Sequence, residues 1–324
     1  MKKNIAIVWG GYSSESVISE KSAAGIYSFM DKEKYNVYKV RINRTSWEVE
    51  DRGSSFAVDK NNFSFTDGDG RNIGFDFAYI TIHGTPGEDG TLQGYFDMLG
   101  IPYSNCGVLA SSLTFNKFIC NHFLKNFDIE VAKSILLRKN DAWQSDKMTA
   151  SLGLPLFVKP NLGGSSFATT KVKESAQLDK AIEEAFGEAP EVIIESFLQG
   201  TEVTCGCFET KKGMTVLPLT EVVTTNEFFD FDAKYNGQVE EITPARLPDE
   251  ITMTIQQETK RIYHLIGAKG IIRVDYILTG NRPVLLEVNT TPGMTATSFI
   301  PQQVRAAGLS MTDVITEIIE TALN

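Results

Sequence analysis

The sequence predicts an α/β protein with additional α+β elements. Apolar segments with the length of buried strands occur at residues 5–9, 35–42 and 75–82, and patterns with helical periodicity occur at residues 16–30 and 92–99. Strands that alternate with helices in this way are typical of βαβ units. We therefore expect the N-terminal part of the chain to form a parallel sheet covered by helices.

The rest of the chain predicts two further units. A cluster of turn-forming residues before residue 105 indicates a first domain at residues 1–105. A second domain, residues 106–195, is expected to contain helices at 112–126 and 175–186 and strands at 156–159 and 192–195. A third domain, residues 196–324, is expected to contain several strands, an irregular stretch at 224–237, a helix at 249–266, a hairpin at 271–289 and a final helix.

The composition favours a small-molecule partner. The 31 basic and 41 acidic side chains give a net charge of −10, which repels nucleic acids and anionic membranes. No apolar segment approaches the roughly 18 residues of a membrane span, and the first one is too short for a signal peptide. The four cysteines lack the spacing of redox or zinc motifs. We expect a cytoplasmic protein with reduced cysteines and neither a nucleic-acid nor a membrane partner.

The hairpin of the third domain presents two acids and an amide on one face. A turn of odd length centred on Asn281 would place Asp275 opposite Glu287, with Cβ atoms about 5 Å apart. It would also place Arg273 opposite Asn289. Two carboxylates and an amide oxygen at this separation suit a hard divalent cation such as Mg²⁺. The alternative is a solvated polar face on which Arg273 neutralises the acids.

The other face of the hairpin and the loop that follows it complete this prediction. The residues expected to face the core are Ile272, Val274, Tyr276, Leu286 and Val288. Backbone N–H groups in the loop at residues 291–293, beside Arg273, can receive a developing oxyanion.

A second segment, residues 156–166, predicts a phosphate-binding loop. An apolar strand ends at Lys159, and the glycines and hydroxyls that follow can fold backbone amides over phosphate oxygens. It is not a Walker A loop, because no Gly-Lys-Ser/Thr follows the glycines. Taken alone, the segment is more typical of a mobile surface loop than of a phosphate clamp, and Lys117 is more typical of a solvated lysine.

Two further loops follow predicted strands. Residues 83–94 begin with His83 and lead into a helix, and residues 10–15 end with Glu15 at the start of another helix. Ligands of open α/β sheets collect at such strand ends, where helix N-termini supply donors. Glu15 suits an ammonium group, or serves only as a favourable acid in the first helical turn. His83 is equally compatible with a structural role.

Taken in chain order, these segments resemble the D-alanine:D-alanine ligase family of the ATP-grasp superfamily over essentially the whole chain. Residues 83–94 match the family's first signature, and residues 270–293 match the second, with Tyr276 where an aliphatic residue is commoner. The resemblance implies a three-domain ATP-grasp fold whose central and C-terminal domains clamp ATP between two sheets.

The same resemblance implies a role for each candidate residue toward ATP and metal. The ATP phosphates or adenine would be contacted by Lys117, Lys159 and Lys234 and by the loop residues Gly164, Ser165 and Ser166. The adenine edge would be held by Glu195 and the backbone near Leu198, and the ribose by Glu202. Two Mg²⁺ or Mn²⁺ ions would be held by Asp275, Glu287 and Asn289.

The resemblance also implies how two amino acids are joined. The first D-alanine would be positioned by Glu15 and His83, and the second by Lys234, Tyr235, Ser298 and Phe299. The carboxylate of the first D-alanine would attack the γ-phosphate of ATP to give an acyl phosphate, and the amine of the second D-alanine would then attack its carbonyl. The tetrahedral intermediate would be stabilised by Arg273 and the Gly293 amide, and loops would be closed over the site by Glu15, Ser165 and Tyr235.

Departures from the family pattern and two alternatives remain. Ala168 replaces a usual glycine, Ser196 a common lysine and Phe299 a usual leucine. Residues 229–235 look like the dipeptide-forming version, which favours D-alanine over D-lactate as acceptor. The alternatives are a D-alanine:D-lactate or other D-amino-acid ligase, and a non-catalytic nucleotide-binding module. The resemblance further implies peptidoglycan synthesis by a homodimer in a bacterial cytoplasm.

Overall fold

The computed structural model describes residues 2–13, 15–163, 168–224 and 239–323. In these ranges the chain forms three sheets with helices packed against them. This arrangement confirms the predicted α/β class. The boundaries of the three domains stay a prediction.

The first sheet has a parallel centre and an antiparallel extension. Its order is β6-β5-β4-β3-β2-β1-β7, with strands β1 (Lys3–Gly10), β2 (Tyr35–Ile42), β3 (Trp47–Asp51), β4 (Ser54–Asp59), β5 (Ser64–Thr66), β6 (Asn72–Gly74) and β7 (Phe77–Ile80). β1 pairs in parallel with β2 and β7, whereas β3 to β6 continue the sheet antiparallel. The helices are α1 (Ser16–Phe29) and α2 (Thr91–Leu99).

The second sheet is smaller and antiparallel. Its order is β10-β9-β11-β8, with strands β8 (Ser134–Arg138), β9 (Leu156–Pro160), β10 (Thr170–Val172) and β11 (Glu191–Ser196). The helices of this part of the chain are α3 (Val108–Phe115), α4 (Lys117–Lys125), α5 (Ser145–Leu152) and α6 (Leu178–Glu188).

The helix predicted at residues 112–126 is in fact two helices. Asn116 is extended, with φ −89° and ψ 96°, and its side chain caps α4 by accepting a hydrogen bond from the Ile119 N–H. The prediction of one helix was wrong because the apolar spacing continues across the break, and only the capping asparagine marks it.

The third sheet carries the predicted hairpin. Its order is β15-β14-β12-β16-β17, with β13 paired to β12. The strands are β12 (Thr201–Thr210), β13 (Gly213–Val216), β14 (Thr220–Thr224), β15 (Val239–Ile242), β16 (Ile271–Thr279) and β17 (Arg282–Asn289), and the helices are α7 (Asp249–Leu265), α8 (Phe299–Ala306) and α9 (Met311–Ala322). Most of the expected irregular stretch, residues 225–237, lies outside the described residues.

The hairpin has the predicted pairing but a different turn. Asp275 pairs with Glu287, and Arg273 pairs with Asn289, as predicted. However, Thr279 pairs with Arg282, so the turn contains two residues and not an odd number. The prediction of the turn was therefore wrong.

A β-bulge reconciles the short turn with the predicted pairing. Tyr276 pairs with Leu285, and the register shifts between Asp275 and Tyr276. Leu286 is the extra residue and is half-buried in the wall of a cavity, while Leu285 is buried in the core. The prediction that Leu286 faces the core was wrong, because an extra residue re-aims the side chains next to it.

The first and third sheets share a hydrophobic core. Ile5 and Ile7 of β1 and Ile26 of α1 belong to the same buried cluster as Ile271 of β16 and Ile315 of α9. All four cysteines are buried and free, as expected. Among the described residues, the helices are too short or too polar to traverse a bilayer.

Candidate active site

A cavity of about 1020 Å³ lies where the three sheets meet. Every described residue that the sequence singled out for a site lines it: Glu15, His83, Lys117, Lys159, Glu195, Leu198, Glu202, Arg273, Asp275, Glu287, Asn289, Gly293, Ser298 and Phe299. Five other candidates lie outside the described residues: Gly164, Ser165, Ser166, Lys234 and Tyr235. Residues far apart in the sequence therefore share one space large enough for a nucleotide.

The hairpin contributes a charged, hydrogen-bonded wall. Arg273 donates two hydrogen bonds of 2.8 Å to the two carboxylate oxygens of Asp275, and Asn289 Nδ2 donates to Asp275 Oδ2 at 2.9 Å. Burial opposes the charge of Arg273, yet Asp275 keeps the pKa of Arg273 above its ordinary value. Arg273 is thus a permanent cation in the cavity.

Two lysines reach the cavity from the central part of the chain. Lys117, the first residue of α4, lies with Nζ 3.5 Å from Glu287 Oε2 and donates to the Gly163 carbonyl at 2.5 Å. Lys159, on β9, lies 2.6 Å from Glu195 Oε2. Both lysines are therefore held in place, one by the hairpin and the start of the glycine loop, the other by β11.

The residues of the hairpin fit a hard divalent cation. Asp275 and Glu287 are directly opposite across a strand pair, Asn289 bonds to Asp275, and all three line the cavity. Within the described residues, no group of three or more His, Cys, Asp or Glu side chains is placed to hold a metal. Mg²⁺ needs fewer protein ligands, because it commonly takes one or two carboxylates and completes its shell with phosphates and water.

The loops of the first sheet form another end of the cavity. His83 Nε2 lies 3.1 Å from Ser22 Oγ of α1, and Ser13 Oγ donates to the His83 carbonyl at 3.2 Å. Burial, and then the charge of Arg273, lowers the pKa of His83 to about 4. His83 is consequently neutral at physiological pH, and Glu15 lines the cavity beside it.

The segment after the hairpin, residues 290–299, contributes another part of the cavity wall. A Cβ placed on Gly293 would lie 3.0 Å from Ser298 Oγ, so the two residues are close neighbours. The guanidinium carbon of Arg273 lies 5.2 Å from the centre of the Phe299 ring, in a cation–π contact. Phe299 thus contacts the Arg273 charge, and Gly293 and Ser298 line the same cavity.

The second and third sheets together form the remaining wall. Glu195 lies near the end of β11, Leu198 follows it, and Glu202 is the second residue of β12. The chain therefore passes directly from the second to the third sheet along the cavity, which places these three residues in sequence on its surface.

Sequence reasoning missed two polar groups near these residues, the half-buried Glu88 and the buried Asn161. Glu88 Oε2 accepts from the Gly84 N–H at 2.7 Å, and burial together with the charge of Glu15 raises the pKa of Glu88 to about 8. Asn161, fully buried, accepts from the Phe118 N–H at 2.9 Å. Glu88 belongs to the segment that follows His83, and its position there was an available signal; nothing in the sequence marks Asn161.

Comparisons with known proteins agree over the whole chain. Family models described as D-ala D-ala ligase N-terminus and C-terminus match residues 4–106 and 123–320. A D-alanine–D-alanine ligase of Parabacteroides distasonis is 63% identical over 325 residues, which cover 100% of this chain and 98% of that protein.

Solved structures have the same fold. VanG D-Ala:D-Ser ligase from Enterococcus faecalis has a TM-score of 0.88 and 32% identity, and the match covers 99% of this chain and 100% of that one. D-alanine–D-alanine ligase from Bacillus anthracis, complexed with ATP, has a TM-score of 0.80 and 30% identity, and the match covers 99% of this chain and 97% of that one.

The fold, the cavity between sheets and these comparisons define the class of the protein. It is an ATP-dependent ligase with the ATP-grasp architecture. Within that class, the chain belongs to the D-alanine–D-alanine ligase family.

Proposed function

We propose that the protein joins two molecules of D-alanine to form D-alanyl-D-alanine, while ATP is converted to ADP and phosphate. The observation that carries the proposal is the pairing of Asp275 with Glu287 on a cavity wall that also holds Arg273. Lys117 and Lys159 line the same cavity, so groups that bind anions and a group that suits a cation share one space. Family membership supports D-alanine as the substrate and favours an enzyme over a non-catalytic nucleotide-binding module.

The first step activates a carboxylate, which by itself is a poor electrophile. A carboxylate oxygen of the first D-alanine attacks the γ-phosphorus of ATP, the bond from that phosphorus to ADP breaks, and D-alanyl phosphate forms. Glu15 and neutral His83 position this D-alanine. Positioning and charge stabilisation account for most of the catalysis of such transfers.

The nucleotide is held by residues from the second and third sheets. In this proposal Glu195, the backbone at Leu198 and Glu202 hold adenine and ribose. Lys117 and Lys159 hold the phosphates, together with Gly164, Ser165, Ser166 and Lys234, which are assigned from the sequence.

The metal is proposed to be Mg²⁺ or Mn²⁺, with two ions, held by Asp275, Glu287 and Asn289. When bound, it supplies positive charge that offsets the charge of the transferring phosphoryl group. The oxygen-only donor set of the hairpin supports this assignment.

The second step forms the peptide bond. The amine nitrogen of the second D-alanine bonds to the acyl carbon, the bond from that carbon to the phosphate oxygen breaks, and the amine releases a proton. Arg273 and the Gly293 N–H stabilise the oxyanion that forms in between. The second D-alanine is held by Lys234, Tyr235, Ser298 and Phe299. Glu15, Ser165 and Tyr235 close loops over the site and exclude water, which would hydrolyse the acyl phosphate.

One incubation tests the substrate and the reaction together. The purified protein is incubated with ATP and D-alanine, alone and with D-lactate or D-serine, at several pH values, and the products are identified by mass. We expect D-alanyl-D-alanine as the main product at neutral pH and phosphate release that depends on D-alanine. A predominant ester or a mixed dipeptide at neutral pH would favour the second candidate, an ester-forming or D-serine ligase. The structural similarity to a D-Ala:D-Ser ligase is the observation that favours testing D-serine.

The wider setting follows from family membership alone. We propose that the product serves peptidoglycan synthesis and that the protein works as a homodimer in a bacterial cytoplasm. Light scattering on the purified protein tests the dimer.

A further inference from the structure

Asn105 lies behind the cavity, where the first and third sheets meet. It is 5% exposed, and its Nδ2 donates to the Thr290 carbonyl at 3.1 Å and to Thr291 Oγ1 at 2.7 Å. Both threonines are buried. These two bonds fix the beginning of the loop that contains Gly293.

The other end of the Asn105 amide is tied to the first sheet. Ser104 Oγ accepts from the Ile80 N–H at 3.0 Å and donates to Asn105 Oδ1. Ile80 is the last residue of β7, and His83 follows shortly after it. Because the Thr290 carbonyl can only accept, the amide orientation is unambiguous. A continuous chain of hydrogen bonds thus links the strand that leads to His83 with the loop that leads to Gly293.

Close packing reinforces this junction. Gly270, at φ +65°, lies so near the Ser104 carbonyl that a Cβ there would collide with it. The free space at the junction is only about 10 Å³, and its lining includes Asn105, Thr290, Thr291 and residues of the first sheet. The loop therefore has little room to shift while Asn105 holds it.

We propose that Asn105 is a positioning residue for peptide-bond formation, which holds the Gly293 N–H in register with a substrate bound at His83. The inference rests on the proposed function and deepens it. Amine addition develops the oxyanion that Gly293 receives, whereas the preceding phosphoryl transfer does not use Gly293. Displacement of the loop slows the second step, and water then cleaves the acyl phosphate to D-alanine and phosphate.

The test measures phosphate released per dipeptide formed. Asn105→Asp keeps the shape but loses both donated bonds, and Thr291→Val removes one acceptor without a change in shape. In both we expect dipeptide formation to fall by up to about 100-fold, with a ratio well above the wild-type value of one and an unchanged KM for ATP. Thr291→Ser, which keeps the hydroxyl, restores a ratio close to one.

A matched control separates the effect of the location of Asn105 from the general effect of an asparagine-to-aspartate substitution. Asn126→Asp removes an equivalent bond, from Nδ2 to the His122 carbonyl at 2.7 Å, at the exposed end of α4, and is expected to keep the wild-type rate and ratio. If Asn105→Asp does not fold, the phosphate released per dipeptide by Thr291→Val tests the proposal. If the wild type makes dipeptide and the variants release the same amount of phosphate per dipeptide as the wild type, the positioning role of Asn105 is overturned but the proposed function is not. A wild type that makes no dipeptide overturns the proposed function as well.

Discussion

Lys159 Nζ and Glu195 Oε2 lie 2.6 Å apart, and only 12% and 6% of the two side chains are exposed. β9 and β11 pair directly, so neighbouring strands hold the ion pair. Burial opposes the lysine charge, yet Glu195 raises the pKa of Lys159 above its ordinary value. The family resemblance assigned both residues to ATP, Lys159 to its phosphates or adenine and Glu195 to the adenine edge, and the two side chains contact each other.

Removal of one partner should cost more than removal of both. Lys159→Met leaves the Glu195 carboxylate buried without its cation, and we expect the free energy of unfolding to fall by about 3–5 kcal/mol. The double variant Lys159→Met, Glu195→Leu should recover most of that loss and yet stay inactive. Denaturant unfolding measures the stability of the single and the double variant, and phosphate release measures their activity. A double variant as unstable as the single one would show that the pair is not the cause.

The burial of His83 predicts a loss of stability in acid. The pKa of His83 is lowered to about 4 in the folded protein and is about 6.5 in an unfolded chain. Below pH 6.5 the unfolded chain binds a proton that the folded protein does not bind, so stability falls as the pH drops from 6.5 to 4, by up to about 3 kcal/mol. Above pH 6.5 this effect is absent.

Unfolding curves between pH 4.5 and 8 check this prediction. His83→Asn cannot titrate at this position, so it should lose less stability than the wild type as the pH falls over this range. His264→Asn, at an exposed helix position, should show the same dependence of stability on pH as the wild type. Equal slopes for His83→Asn and the wild type would contradict it.

Replacement of Gly25 in α1 by alanine is expected to change the stability of the protein in the direction opposite to the usual one. Alanine normally stabilises a helix by up to about 1 kcal/mol relative to glycine. A Cβ on Gly25, however, would collide with the Met294 carbonyl, next to Gly293. We expect Gly25→Ala to destabilise the protein by about 1–3 kcal/mol and to slow dipeptide formation.

Gly187 of α6 is the matched control, because a Cβ there would meet nothing within 4 Å. Gly187→Ala should raise or preserve the melting temperature and keep full activity. If both variants behave alike, α1 does not restrain the Gly293 loop.

Glu287→Gln tests the candidate metal ligand. The amide keeps the size of the side chain but loses its charge, so the fold should persist while phosphate release falls by about 100-fold. Glu130→Gln, in an exposed ion pair with Arg282, should have little effect. Near-normal turnover of Glu287→Gln would refute the assignment.

Strand alternation and an assumed turn of odd length predicted the pairs Asp275–Glu287 and Arg273–Asn289 correctly. The two-residue turn and the bulge at Leu286 were not predicted, because alternation alone does not reveal either feature. Each shifts the register by one residue in the opposite sense, so the pairing at the acids is unchanged. Ala168 illustrates a local constraint: its φ of +50° is a conformation that glycine adopts more easily, which accounts for the glycine usual at this position.

Contacts between distant segments were out of reach of the sequence. Asn105 and Thr291 meet only because two sheets pack together, and Asn161 is an ordinary loop asparagine until it is buried. The strands at residues 47–74 were missed for another reason: they are short and partly exposed, so their apolar pattern is weak.

The fate of the carboxylate oxygen tests the proposed reaction most directly. D-alanine labelled with ¹⁸O in its carboxylate is incubated with ATP and the protein, and the phosphate released is analysed by mass. If D-alanyl phosphate forms and the second amine displaces phosphate, each dipeptide is accompanied by one phosphate that carries one labelled oxygen. Unlabelled phosphate would show that water, and not the carboxylate, receives the γ-phosphoryl group, and would contradict the reaction proposed for this cavity.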